Sequence, residues 1–206
     1  EHVGVFLDLS YRMHPAVCAV VANLAYDGEL GSAPAARARD ISGPPLDVLG
    51  RRIAMQPGVV WVATDDGDDE VAIARHILDQ LVGTATVTVE PGITEMLTWD
   101  AVRVVAPHNA HVNRLASALP DEAQVGTVDR FQGQQGHVVV YSMGRLAQSP
   151  GDVPFLYEIN RLNVALSRAR LLAIVVSHRD AVFPPVDNPE HLLLASRFIR
   201  SVQHGA

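Results

Sequence analysis

Residues 158–176 read EINRLNVALSRARLLAIVV, a polar helical pattern that runs directly into an apolar run. The apolar part, residues 171–176, does not alternate with polar residues, which is typical of a strand buried on both faces of a parallel sheet. Similar short runs, each bounded by polar or turn residues, recur at residues 5–7, 59–63, 102–106, 125–128 and 138–141. We expect each of them to form a strand.

Helical patterns lie between several of these runs. Apolar residues recur at helical spacing over residues 17–24, which follow Pro15, over residues 71–81, which follow an acidic cluster, and over residues 112–119. Strands that alternate with helices predict an α/β fold, with a mainly parallel sheet flanked by helices.

We expect residues 1–206 to form a single domain, with loop excursions at about 31–57 and 83–98. The first stretch is rich in Ala, Gly and Pro and predicts a surface loop, whereas the second predicts a loop or a short hairpin. A last helix is expected over about residues 191–202, and its spacing predicts an inward face made of Leu192, Leu193, Ala195, Phe198 and Ile199.

The 16 basic residues are all arginine, and the formal net charge is −7. The phosphate-binding loop GxxxxGK[ST] needs a lysine, so this chain cannot contain that loop. The acidic balance argues against a protein that coats nucleic acid through its whole surface, but it does not exclude a local groove lined by arginine.

Cys18 is the single cysteine, and its apolar helical context predicts a buried thiol in a reducing cytoplasm. No apolar run approaches the roughly 20 residues of a spanning helix, so we expect no membrane contact. No signal segment is recognisable, and because the chain begins at Glu1 and not at methionine, we expect it to be part of a longer polypeptide.

Two stretches have residue types that bind metals. Residues 65–70 hold five carboxylates without the spaced loop of a calcium hand, so a solvated cap at a helix start is the favoured interpretation. His108 and His111 are three residues apart on one predicted helix, but no further Cys or His cluster completes four zinc ligands. We therefore predict no metal site in this chain.

Residues 126–142, GTVDRFQGQQGHVVVYS, place a polar turn between two predicted strands. Thr127 offers a hydroxyl and an amide to a phosphate, and Gly133 and Gly136 permit close approach of a ligand to the backbone. A glycine-rich connection without any ligand explains the same residues equally well.

Two arginines of the opening stretch have helical spacing. Arg161 and Arg168 are seven residues apart, which predicts that they lie on nearly the same face of a helix that packs near the sheet. An unpaired guanidinium is costly there, so each needs an anion. Glu158 is the obvious acidic neighbour for a structural salt bridge, and a bound phosphate is the alternative.

Four stretches together resemble superfamily 1 helicases. They are SYRMHP at 10–15, VRVVAPHNAHVNRL at 102–115, GTVDRFQGQQGHVVVYS at 126–142 and NRLNVALSRAR at 160–170, in the order and approximate spacing of the later motifs of that family. The group that they resemble most is that of the nonsense-mediated-decay RNA helicase and the replicative helicase-nucleases. FLYEINRLNVALSRAR and VVVYSM also resemble bacterial fusions of a RecB-type nuclease with such a helicase.

The resemblance implies a second RecA-like domain, which has the P-loop NTPase fold without its own phosphate loop. In this family ATP lies between two such domains, and the first supplies the phosphate loop and the ligands of Mg²⁺. By resemblance, Arg12 and Arg168 contact the γ-phosphate, Tyr11 stacks near the adenine, Gly133 lets the nucleotide approach, and Arg161 supports the motif helix on the ATP side.

The resemblance also assigns Thr127, His108 and Asn109 to the nucleic-acid strand, and Gln135 to the ATP site. Gln135 stands where the family usually has a ribose-binding glutamate, and an amide loses the stronger charge-assisted hydrogen bond. His108 stands where the family usually has tyrosine, so it stacks on a base more weakly and its charge depends on pH.

The resemblance therefore predicts the C-terminal motor domain of an ATP-dependent, 5′-to-3′ single-strand helicase or translocase, on DNA more than on RNA. Its expected partner is the first RecA-like domain of the same polypeptide, and its expected cofactors are ATP and Mg²⁺, with Mg²⁺ held by that first domain. We expect the isolated chain to be a monomer without ATPase activity. The alternative is a non-catalytic nucleic-acid-binding or protein-docking module with a decayed ATP cleft; a free-standing metabolic enzyme lacks the acid–base pocket that it would need.

Overall fold

A computed structural model describes residues 7–131 and 133–203 of the chain. These residues form six α-helices: α1 (Pro15–Ala25), α2 (Glu70–Leu81), α3 (Asn109–Ala118), α4 (Val153–Leu156), α5 (Ile159–Leu166) and α6 (Pro189–Gln203). In the same residues there are twelve strands: β1 (Leu9–Ser10), β2 (Gly31–Ser32), β3 (Asp40–Ser42), β4 (Leu46–Val48), β5 (Arg51–Ile53), β6 (Gly58–Thr64), β7 (Thr86–Glu90), β8 (Ile93–Met96), β9 (Val102–Val105), β10 (Val125–Gly126), β11 (Gly136–Ser142) and β12 (Ala169–His178).

The central sheet contains five strands in the order β10-β9-β11-β12-β6, and all four pairings are parallel. Ile174 in β12 pairs with Val140 in β11 on one side and with Val60 in β6 on the other. The predicted α/β fold, a mainly parallel sheet flanked by helices, is therefore confirmed.

Helices cover both faces of this sheet. Neighbouring residues of a strand point to opposite faces, so Val175 belongs to one core and Ile174 to the other. Val175 shares its core with Val21 of α1 and with residues of α5 and α6. Ile174 shares its core with Ile77 of α2 and with residues of α3. This two-sided burial explains why the strands have continuous apolar runs.

All strands of the central sheet run in one direction, so their amino ends form one edge of the sheet and their carboxyl ends form the opposite edge. The carboxyl edge collects the residues that end or follow each strand, and it includes Thr64, Thr127 and Ser142. The amino edge collects the residues that precede each strand, and it includes Gln135 and Arg168, where the amide of Gly136 donates to the carbonyl of Arg168 at 3.0 Å. Open parallel sheets commonly bind ligands at the carboxyl edge.

Most predicted elements are present, with differences at the ends. The runs at 59–63, 102–106, 138–141 and 171–176 form β6, β9, β11 and β12, and residues 83–98 contain the β7–β8 hairpin. The run at 125–128 forms only the two-residue β10 before a 3₁₀ turn begins at Val128. The first predicted strand, residues 5–7, begins outside the described residues, and Leu7 is exposed and lies in no strand.

Two structural expectations were wrong in part. Residues 31–57 are not a plain surface loop, because they form β2 to β5 and bury Ile41, Leu46 and Val48 against α2. The last helix forms as predicted, but Leu192 and Leu193 are exposed, since α6 turns the face with Phe198 and Val202 inward.

Cys18 is buried in α1, as its apolar context predicts. Nowhere in residues 7–131 and 133–203 does a helix have both the length and the hydropathy needed to traverse a bilayer.

Candidate functional site

Several hydrogen bonds between side chains and backbone amides fix the conformation of the SYRMHP turn. The hydroxyl of Ser10 accepts from the backbone amides of Arg12 at 3.4 Å and Met13 at 3.3 Å. The imidazole of His14 accepts from the amide of Ala16 at 3.2 Å, so it caps α1, which begins at Pro15. The turn is therefore ordered by its own polar residues before any ligand binds.

The segment at 31–57 supports the same turn from outside. The guanidinium of Arg39 donates to the backbone carbonyls of Tyr11 at 3.1 Å and Arg12 at 2.7 Å. The hydroxyl of Ser32 donates to the carbonyl of Met13 at 2.7 Å. One role of this segment is thus to hold the turn that presents Tyr11 and Arg12.

Tyr11 and Arg12 line a cavity of about 620 Å³ on the amino edge of the sheet, a volume in the range of small-molecule sites. We call it the arginine cavity. Its lining consists of Ser10, Tyr11, Arg12, Met13, Tyr26, Leu30, Gln135, Asn163, Val164, Ser167, Arg168 and Arg170. These described lining residues include three arginines and no carboxylate.

The three guanidiniums of the arginine cavity are poorly neutralised. Arg12 donates to the backbone carbonyl of Ser167 at 3.0 Å, but the Nε atoms of Arg168 and Arg170 are buried and have no hydrogen-bond partner within the described chain. Burial lowers the pKa of Arg168, and the nearby charge of Arg12 lowers it further. Such a cluster is a binding site for an anion with several oxygens, such as a phosphate.

The positive field extends beyond the cavity. Burial, followed by the charges of Arg39 and Arg12, lowers the pKa of Arg170. Burial, followed by the charges of Arg170 and Arg39, lowers the pKa of His137 to about 4, so this histidine is neutral at pH 7. The chain is acidic overall, yet the amino edge is locally cationic.

A second cavity, of about 310 Å³, lies at the carboxyl edge and brings together the three residues that the resemblance assigns to the strand. We call it the Thr127 cavity. It is lined by Pro107, His108, Asn109, Thr127, Val128, Asp129, Phe155 and Arg161. Burial lowers the pKa of His108, and the charge of Arg145 adds to this, so the ring favours its neutral form.

Arg161 lies in the Thr127 cavity and not in the arginine cavity. It forms an ion pair with Glu158 at 3.0 Å and donates to the carbonyl of Phe155 at 3.2 Å. The expectation that Arg161 and Arg168 share a helix face was wrong, because α5 ends at Leu166 and Arg168 lies beyond it. Seven residues also advance about 10 Å along a helix, which separates the two guanidiniums.

The remaining predicted residues of the ATP side differ in position. Gln135 is exposed and lines the arginine cavity, whereas Gly133 does not line it. Gly133 has a positive φ of 80°, so its turn favours glycine. The close approach at Gly136 is made by the chain itself, because a Cβ there would lie 2.8 Å from the carbonyl oxygen of Ala101.

A buried polar network stands beside the Thr127 cavity. The hydroxyl of Ser142 donates to Glu70 at 2.8 Å, and its oxygen lies 2.7 Å from Nε2 of His111. Since the single proton of Ser142 is used on Glu70, His111 donates from Nε2. The amide of Gly144 also donates to Glu70 at 2.8 Å. The ring of His111 stacks on that of His108 at 5.9 Å between centroids, which ties the network to the cavity.

This network corrects the interpretation of residues 65–70 as a solvated cap. Asp69 does cap α2, because its carboxylate accepts from the amide of Val71 at 3.0 Å. Glu70, however, points into the molecule, and burial raises its pKa although Gly144 and Ser142 donate to it. Within residues 7–131 and 133–203, no cluster of three or more His, Cys, Asp or Glu is arranged to hold a metal.

Sequence reasoning missed Arg170, Asn163 and Arg39 on the amino edge. A signal for Arg170 was present, because Arg168 and Arg170 are two residues apart at the start of a predicted strand and so point the same way. No comparable signal exists for Arg39, which reaches the SYRMHP turn from 27 residues away.

The chain matches the family described as AAA domain over residues 1–180, and it therefore belongs to that family. It is 28% identical over 188 residues to the DNA polymerase alpha-associated DNA helicase A of Saccharomyces cerevisiae, which covers 84% of this chain and 27% of that protein. It is 27% identical over 194 residues to the DNA-binding protein SMUBP-2 of Rattus norvegicus, covering 82% of this chain and 18% of that protein.

A third relative is the regulator of nonsense transcripts 1 of Dictyostelium discoideum, with 26% identity over 184 residues, 84% of this chain and 13% of that protein. The chain thus spans between 13% and 27% of the length of these relatives. Among solved structures, the helicase nonstructural protein 10 of an arterivirus covers 83% of this chain at 15% identity, with a TM-score of 0.38, which is too distant to carry an argument. The curated relatives support the predicted resemblance to superfamily 1 helicases.

Proposed function

We propose that this chain is the second RecA-like motor domain of an ATP-dependent helicase or translocase that moves 5′ to 3′ on single-stranded nucleic acid. The observation that carries the proposal is the arginine cavity, where Arg12, Arg168 and Arg170 converge and no described lining residue is a carboxylate. A phosphate is the anion that such a cluster recognises. The AAA domain match and the helicases among the relatives support the same conclusion.

The residues present fit part of an ATP site. Arg12 and Arg168 would hold the γ-phosphate and stabilise the charge on it, as an arginine finger does, while Tyr11 and Gln135 stand at the same cavity for the base and the ribose. ATP supplies the phosphoryl group whose transfer to water drives the motor. The arginine cavity does not fit Mg²⁺, which prefers carboxylate and water oxygens, so we assign Mg²⁺ and the phosphate loop to a first RecA-like domain of the same polypeptide.

The two cavities suit the two halves of a motor cycle. The arginine cavity lies at the amino edge and the Thr127 cavity at the carboxyl edge, and α5 runs between them with Arg161 at its start and Arg168 beyond its end. Movement of the arginines toward or away from a phosphate would therefore shift a rigid helix whose other end contacts the strand side. We infer a preference for DNA from the relatives, one of which is named a DNA helicase.

The test is ATP hydrolysis by the full-length protein, measured with single-stranded DNA and with RNA. Arg168→Ala is expected to lower the turnover number by about a thousandfold, the scale of an arginine finger. Arg200→Ala is the matched control, because Arg200 is exposed on α6 away from both cavities. Near-normal turnover in Arg168→Ala would show that it is not a finger, and greater stimulation by RNA would overturn the DNA preference.

A second candidate is a non-catalytic module that binds nucleic acid or a protein. The substitution of Gln135 for the usual glutamate favours it, because the ribose contact is weakened. Full-length protein that binds single strands without hydrolysing ATP would support this candidate. For the isolated chain we propose a monomer without ATPase activity, which size-exclusion chromatography and a turnover assay on residues 1–206 would test.

A further inference from the structure

Phe155 stands on a rigid single turn of helix. Val153, Leu156 and Tyr157 are all buried, and the hydroxyl of Tyr157 donates to the carbonyl of Ala181 at 2.8 Å. Phe155 is the large apolar side chain of this turn that remains 42% exposed. Its backbone is therefore fixed by its neighbours while its ring is free to contact a ligand.

The guanidinium of Arg161 packs against this ring. Its central carbon lies 4.3 Å from the ring centroid, and the same group donates to the carbonyl of Phe155 and pairs with Glu158. All of its interactions are thus made within the protein, and nothing leaves it in need of a phosphate. This is the opposite of Arg168, whose Nε is buried without a partner in the described residues.

The Thr127 cavity suits a base better than a phosphate. Its walls include the Phe155 ring and the largely neutral imidazole of His108, two flat π surfaces. Asp129 also lines it, and a carboxylate repels phosphate but accepts hydrogen bonds from the exocyclic amino groups of bases. Asn109 adds an amide that both donates and accepts.

We propose that Phe155 stacks on an unpaired nucleobase of the bound strand, and that Arg161 is a positioning residue that holds the Phe155 ring. Arg161 then serves the strand and not the nucleotide, contrary to the role that the resemblance implies for it. This proposal rests on the proposed function, because it requires that the full-length protein binds a single strand. Aromatic stacking accepts any base, so the contact adds affinity without sequence preference.

The first test compares Phe155→Leu with Phe155→Trp in the full-length protein, by fluorescence anisotropy with labelled single-stranded DNA. Leucine keeps the apolar volume but has no π face, so we expect it to weaken binding by about 5- to 50-fold, whereas tryptophan keeps the affinity. Phe183→Leu is the matched control, because Phe183 is 78% exposed and lines neither cavity. Equal melting temperatures exclude a loss of folding.

The second test uses Arg161→Gln and Arg168→Ala in parallel. Arg161→Gln should weaken strand binding and leave ATP turnover at saturating strand and the KM for ATP unchanged, while Arg168→Ala should lower the turnover number and leave strand binding unchanged. The salt dependence of strand binding separates the two roles of Arg161. If Arg161 contacts a phosphate directly, the plot of log K against log salt should be less steep for Arg161→Gln by about 0.7. If Arg161 only positions Phe155, the variant and the unmodified protein should have the same slope.

Three outcomes overturn the proposal. Strand affinity in Phe155→Leu equal to that of the unmodified protein excludes base stacking. A raised KM for ATP in Arg161→Gln, with unchanged strand affinity, would show that Arg161 contributes to nucleotide binding and not to strand binding. If the unmodified protein neither binds a strand nor hydrolyses ATP in its presence, the proposed function fails together with this inference. If the unmodified protein binds a strand and hydrolyses ATP, but Phe155→Leu has unchanged strand affinity, the inference fails and the proposed function stands.

Discussion

The arginine cavity and the Thr127 cavity lie on opposite edges of one sheet and differ in the charges that line them. The first gathers three guanidiniums without a carboxylate, and two of them have buried Nε atoms that lack partners in the described structure. The second contains one arginine that is already paired and stacked, beside Asp129 and two rings. The difference shows that two arginines of one sequence motif can have opposite surroundings, since Arg161 is paired with a carboxylate and Arg168 lies among other guanidiniums.

The neighbours of each cavity show the same contrast. Beside the Thr127 cavity, the hydroxyl of Ser142 links Glu70 to Nε2 of His111. Beside the arginine cavity, Arg39 donates hydrogen bonds to backbone carbonyls, and its guanidinium adds further positive charge. The two edges therefore differ in net charge: guanidiniums without a carboxylate line the arginine cavity, whereas the Thr127 cavity contains both Arg161 and Asp129.

The largest expected effect is on the arginine cavity. Arg12→Ala in the full-length protein should lower the turnover number for ATP by about a thousandfold, because a second positive charge on the γ-phosphate is lost. Strand affinity should stay unchanged, since Arg12 does not line the Thr127 cavity. Steady-state hydrolysis measures the turnover number, and fluorescence anisotropy measures the strand affinity. A loss of strand affinity in Arg12→Ala would mean that the two edges are not separate sites.

Gly144→Ala should disturb the carboxyl edge alone. Gly144 has a φ of 73°, and a Cβ there would lie 2.4 Å from the ring of His111. Strain of about 1 kcal/mol from the backbone and about 1–3 kcal/mol from overpacking should lower the free energy of unfolding, measured by urea denaturation. Gly133→Ala is the control, because Gly133 has a similar φ of 80° but no atom within 4 Å of its Cβ position. Equal losses in the two variants would contradict the predicted clash.

Acid should destabilise the protein partly through His111. Burial, followed by the charges of Arg114 and His108, lowers its pKa to about 4 from 6.5, although Asp69 opposes this. As the pH falls below 6.5, the unfolded chain takes up a proton that the folded chain refuses, so the free energy of unfolding falls until about pH 4. The contribution is about 3 kcal/mol.

His111→Gln removes this titration and keeps a side-chain amide that donates to Ser142. Urea titrations at stepped pH should show that the variant loses less stability on acidification than the unmodified protein. Glu70 acts in the opposite direction, because its raised pKa means that acid relieves a buried charge. His137→Gln offers the same measurement at the amino edge, where the pKa of His137 is also lowered to about 4. Parallel acid curves for the unmodified protein and both variants would refute these assignments.

The smallest expected effect concerns the hydroxyl of Thr127. Thr127→Val keeps the shape and removes one hydrogen bond to the bound strand, so single-strand affinity should fall by about tenfold. The KM for ATP should not change. Thr94→Val in the exposed β8 strand is the matched control. Full affinity in Thr127→Val would remove this residue from the strand-binding face.

Much of the fold follows from local patterns. The uninterrupted apolar runs of β11 and β12 predict strands between two helical layers, and Pro15 predicts the start of α1. The fate of residues 31–57 could not be predicted, because Ile41, Leu46 and Val48 are too widely spaced to signal strands that pack on α2. The inward face of α6 was misjudged for a related reason, since both Leu193 and Leu194 fit a helical stripe and only packing selects between them.

The sequence by itself determined the family, the parallel sheet and the set of arginines available for an anion. These depend on residue types, spacing and periodicity, which are local properties of the chain. Only the tertiary structure decided that Arg168 joins Arg12 and Arg170 at one edge, while Arg161 joins Phe155 and Glu158 at the other. The physical reason is that α5 lies between Arg161 and Arg168, so residues that share a motif are separated by the length of a helix, while folding makes neighbours of residues far apart in the chain.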